Sequence, residues 1–64
     1  MMIEFQTEFG KVTFRKDIII GIFERSQKTI NGEFQDIPLL ALVDGAKLPL
    51  SEDYQVAVDR WKNA

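Results

Sequence analysis

The sequence contains neither cysteine nor histidine. Without cysteine there are no disulfides and no thiolate metal sites, and the chain suits a reducing compartment. Without histidine it lacks the commonest general base and the commonest metal ligand. Charge of one sign does not dominate. Eight basic residues against ten acidic ones leave a net charge of −2, which argues against nonspecific nucleic-acid binding but leaves room for a local basic patch. No apolar run approaches the ~18 residues needed to span a bilayer. The stretch Met1-Met2-Ile3-Glu4-Phe5-Gln6 has no basic region followed by an apolar core, so no signal peptide is expected and the cytoplasm is the default location. The four glycines are scattered, not grouped in a phosphate-binding loop, and no cofactor is expected.

What remains is a short chain of ordinary apolar content. Its 64 residues make one domain, 1–64, with 45% hydrophobic residues. A domain of this size buries only roughly 60% of the surface its unfolded chain exposes. With disulfides and thiolate metal sites excluded, oligomerisation is the remaining common source of added stability.

Turn signals recur at short intervals, at Gly10, Lys16-Asp17, Asn31-Gly32, Asp44-Gly45 and Ser51, the spacing of a series of short strands. Ile3, Phe5 and Thr7 alternate with Glu4 and Gln6, giving a first strand. Val12 and Phe14 alternate with Lys11, Thr13 and Arg15, giving a second strand in a hairpin with the first. Residues 18–25 form a third, isoleucine-rich strand. Residues 26–34 are polar and read as a mobile loop, with one long hairpin around Asn31-Gly32 as the alternative. Ile37 to Val43 make a fourth strand, whose Pro38 belongs at an edge or ahead of the pairing. Asp44-Gly45 predicts a type I′ turn into a short fifth strand, Lys47 to Leu50, with Pro49 at a sheet edge. Ser51 is the expected N-cap of a C-terminal helix of about 12 residues. Tyr54, Ala57, Val58 and Trp61 share one face of that helix, while Arg60 and Lys62 suit the negative end of its dipole. The fold expected is mainly β (α+β): a small five-stranded antiparallel meander or barrel-like sheet with one C-terminal helix.

The third and fourth strands carry apolar residues at successive positions, a pattern of burial on both faces. One helix covers one face. Under strict alternation the second face holds Ile19, Phe23, Leu40 and Leu42, and these are the candidate interface, to be covered by a second copy unless the sheet closes into a barrel. A second candidate surface is basic: Lys11, Arg15 and Lys16, with Phe9 and Phe14 nearby, could hold single-stranded nucleic acid through phosphate contact and stacking. Lys11, Thr13 and Arg15 also lie on the outward face of a strand, where charge is the normal choice, and the solvated face is the preferred reading. No nucleophile, general base or metal-ligating cluster stands in a recognisable setting. Ser51 reads as a cap, and the carboxylates Asp44, Glu52 and Asp53 read as turn and helix-start residues.

The order Met2-Ile3, Gly10, Asp17, Ile20, Asp44-Gly45 and a final amphipathic helix resembles the small FlbD-type flagellar proteins over nearly the whole chain. That resemblance implies a connection with flagellar motility. The stretch Leu42-Val43-Asp44-Gly45-Ala46-Lys47-Leu48-Pro49-Leu50-Ser51-Glu52-Asp53-Tyr54 is similar to the last hairpin and helix start of LytTR-type DNA-binding domains. Those domains are longer and carry a basic residue after the serine, where this chain has Glu52 and Asp53. No functional residue is carried over from either family. The function expected is a non-enzymatic protein-interaction module that self-associates, of bacterial or phage type. The alternative is a small nucleic-acid-binding regulator using Lys11, Arg15 and Lys16.

Overall fold

The computed structural model describes residues 1–64. Strands β1 (Met2–Thr7) and β2 (Gly10–Arg15) form a two-stranded antiparallel hairpin. A single 3-10 turn (Lys16–Ile18) leads into β3 (Ile19–Lys28), which pairs with β4 (Phe34–Leu42). β4 pairs in turn with β5 (Lys47–Pro49), giving a three-stranded antiparallel sheet in the order β3-β4-β5. Helix α1 (Tyr54–Lys62) closes the chain. The fold is mainly β with five strands and one C-terminal helix, but the two sheets do not close into a barrel.

The core lies between the β1–β2 hairpin, the helix and one face of the three-stranded sheet. Ile3 and Phe5 enter it from β1, Ile19 and Ile22 from β3, Leu40 from β4, and Ala57 and Val58 from α1, with Leu50 completing the cluster. The alternation in β1 and the apolar stripe of the helix therefore fall where the sequence places them. Tyr54 and Trp61 are partly buried against the same cluster.

Five local features differ from the sequence expectation, each for a physical reason. In β3, Ile19 pairs with Leu42 and Gly21 with Ala41, so Ile20 is an extra, bulged residue. A bulge breaks the two-residue period and turns Ile19 and Ile22 to the same side. Residues 26–34 are not a long loop. β3 and β4 stay in register out to Lys28 opposite Phe34, and only residues 29–33 turn, closed by the Thr29 N–H donating to the Glu33 carbonyl at 2.6 Å. At Asp44-Gly45 only Gly45 has a positive φ (91°), so the turn is not type I′. The Gly45 N–H donates to the Leu42 carbonyl and the Leu42 N–H to that of Ala46, a three-residue loop in which left-handed Gly45 forms a G1-type bulge.

The helix begins later than Ser51. Asp53 is its N-cap, with the carboxylate accepting from the Gln55 N–H at 3.1 Å. Ser51 is used elsewhere, its N–H donating to the Gln6 carbonyl of β1 at 2.9 Å. Pro38 stands within the central strand, and register explains why it is tolerated. Its partner Glu24 and its own nitrogen fall at a non-hydrogen-bonded position of the β3 ladder, and its carbonyl accepts from Leu50 N–H where β5 has just ended. Pairing with β5 starts at Leu39, and Pro49 lies on an edge strand, as its chemistry requires.

Candidate interaction surface

The bulge at Ile20 decides which residues of the sheet are free. Ile19 is 6% exposed and Leu40 is fully buried, while Leu42 packs on the core. Three of the four residues expected at an interface are therefore part of the monomer's own core. Phe23 alone lies on the opposite face, and its cross-strand partner there is Leu39. That outer face also carries Ile37 and Ala41. Leu39 sits between Phe23 and Pro49, paired to it from either side, and is only 6% exposed. Phe23, Ile37 and Ala41 are half-buried. The outer face thus largely shields itself through its own cross-strand pairs and makes less demand for a cover than its composition implies.

The far half of the β3–β4 hairpin is a different case. From Glu24 on β3 round to Asp36 on β4, every residue but Thr29 is exposed. No backbone hydrogen bond reaches this ribbon from another element. Ile30 at its tip is fully exposed, and Phe34 is 74% exposed. The ribbon gives the molecule its elongated form, 39 × 22 × 20 Å. Two-stranded ribbons without a third strand or a packed face are at best marginally stable in water.

The other strand edges are treated differently. The outer edge of β1 is sealed by a residue just ahead of the helix and one from its last turn. The Gln6 N–H donates to Glu52 Oε2 at 2.6 Å, and Arg60 Nη1 donates to the Glu4 carbonyl at 2.8 Å. Arg60 Nη1 also lies 2.7 Å from Glu52 Oε1, and its guanidinium stacks 5.8 Å above the Phe5 ring. The Glu52 side chain is only 11% exposed. This Glu52–Arg60 clamp ties helix to hairpin. From the sequence Glu52 reads only as a helix-start residue, because a contact from residue 52 to residue 6 leaves no mark in local spacing.

The basic residues do not form an unengaged patch. Lys11 lies 4.0 Å from Glu4, Arg15 pairs with Asp17 at 2.7 Å, and Lys16 Nζ donates to the Ala64 carbonyl at 2.6 Å. Lys11 and Arg15 share the exposed side of β2, whereas Phe14 packs against the core and Phe9 is exposed at the turn. Two shallow concavities of about 330 and 370 Å³ flank Gln35, Ile37 and Leu50–Ser51. The second is acidic, with Glu24, Asp36, Glu52 and Asp53 around it. No group of three or more metal-ligating side chains converges anywhere in the structure. No helix is long and apolar enough to cross a membrane.

The arrangement defines a small antiparallel β domain with a helix-sealed core and a projecting two-stranded ribbon. Compared with known proteins, the chain matches no protein-family model, no curated protein and no solved structure.

Proposed function

We propose that this chain is a small non-enzymatic protein-interaction module that self-associates and works in the cytoplasm. The observation that carries the reading is the ribbon, an exposed strand pair with free edges and two uncovered large apolar side chains, Ile30 and Phe34. Burying side chains of that size is worth roughly 1.5–3 kcal/mol each, a large fraction of what a domain this small has available. The expected interface of Ile19, Phe23, Leu40 and Leu42 does not serve, since Ile19, Leu40 and Leu42 are committed to the core and Phe23 is half-buried. A nucleic-acid reading would rest on Lys11, Arg15 and Lys16, each of which already faces an acceptor of its own chain.

The test is sedimentation velocity on the wild type and on Ile30→Ser/Phe34→Ser over a range of concentrations. Both positions are exposed, so the doubly substituted chain keeps its fold, as circular dichroism would verify. A wild type that associates and a folded variant that does not is the expected result. Equal behaviour of the two as monomers would overturn the reading.

A further inference from the structure

Resting on the self-association reading, we infer that the second copy docks on the outer edge of β3, antiparallel to it, with Ser26 of the two copies facing each other on a two-fold axis. The direction of the backbone groups sets this register. The Thr29 N–H points to β4, where it meets Glu33, so alternation directs those of Arg25 and Gln27 to β4 as well. The N–H and C=O groups of Glu24, Ser26 and Lys28 then point outward along an edge that nothing in the chain covers. A two-fold pairing centred on Ser26 exchanges hydrogen bonds between the two serines. It sets Glu24 opposite Lys28 of the second copy, twice over, and Arg25 opposite Gln27. Opposite charges directly across a strand pair attract.

The other candidate edges are unsuited to the same pairing. On β2 the outward groups belong to Lys11, Thr13 and Arg15, since Gln6 and Glu4 use their backbone groups on the far side of β1. A two-fold pairing centred on Thr13 would set Lys11 against Arg15 of the second copy, like charge against like. That is how edges are protected from self-association. β1 is sealed by Glu52, Ser51 and Arg60, and β5 is three residues long and contains a proline. β3 alone combines a long free edge with a charge order that complements itself.

The experiment is sedimentation equilibrium on the wild type, Ser26→Pro, Glu24→Lys, Lys28→Glu and the double reversal Glu24→Lys/Lys28→Glu. Ser26→Pro removes an outward donor and leaves the β4 ladder intact, so it is expected to abolish the dimer while the fold persists by circular dichroism. Each single reversal puts like charges across both symmetric pairs and should weaken the dimer about tenfold. The double reversal exchanges the two charges and should restore it. A dimer indifferent to Ser26→Pro and to the reversals would overturn the β3 edge while leaving self-association in place. Loss with Ser26→Pro but no rescue by the double reversal would overturn this register. A wild type that stays monomeric would overturn both the edge and the reading beneath it.

Discussion

At the scale of single residues, the most consequential position is Glu52. It follows a serine in a segment that reads as a helix start, yet its carboxylate is used by Gln6, 46 residues away, and by Arg60. Hydrogen bonds to a charged acceptor contribute more than neutral ones, and truncation leaves the Gln6 amide without its partner. Glu52→Ala is expected to cost about 2 kcal/mol in chemical denaturation. Arg60→Ala should cost less, since Arg60 is more exposed than Glu52, and the double substitution should cost less than the two effects added. Strict additivity would show that the clamp is not a coupled unit. The cap gives a sharper contrast. Asp53→Ala should lower stability by about 1 kcal/mol, whereas Ser51→Ala should change it by less than about 0.5 kcal/mol, because only the Ser51 backbone is engaged. Equal effects at the two sites would move the helix start back toward Ser51. The sequence points to Ser51 because serine is a favoured cap and two carboxylates follow it. Aspartate caps as well as serine does, and the contact that holds the Ser51 N–H on the Gln6 carbonyl leaves no mark in local spacing.

At the scale of elements, strand existence was legible and strand facing was not. The five strands, the two short hairpins and the helical stripe of Tyr54, Ala57, Val58 and Trp61 all follow from local periodicity and turn residues. One bulged residue then undid the assignment of faces. With isoleucine at positions 18, 19, 20 and 22, the sequence offers no polar mark to show where the alternation slips. The two readings separate cleanly by substitution. Ile20→Asp is expected to leave the fold standing, because Ile20 is 64% exposed. Ile22→Asp should unfold it, because Ile22 lies in the core and an unpaired buried charge is very costly. Thermal melts of both variants check this, and comparable loss at both positions would mean that β3 runs without a bulge. The extent of the β3–β4 hairpin was hidden for a different reason. Ser26, Gln27 and Lys28 are polar on both faces because the ribbon leaves the core, so the hydrophobic pattern that marks a strand is absent although the ladder continues. Amide exchange should show Arg25 and Gln27 slower than Ile30 and Asn31, as their N–H groups point into the ladder. Uniformly fast exchange across 24–36 would return the segment to a mobile loop.

At the scale of the whole molecule, the structure is divided between a sealed end and an open one. The hairpin, the helix and the clamp close the core and one strand edge, while the ribbon carries a free edge and uncovered apolar side chains away from it. The proposed self-association rests on the ribbon and not on the second face of the central strands, because that face largely covers itself through Phe23, Leu39 and Pro49. This claim is tested most directly by the mass of the protein in solution. Sedimentation equilibrium over the micromolar range should show a reversible transition from the 7.4 kDa chain to a species of twice that mass. A single 7.4 kDa species at every concentration, up to high micromolar, would contradict it.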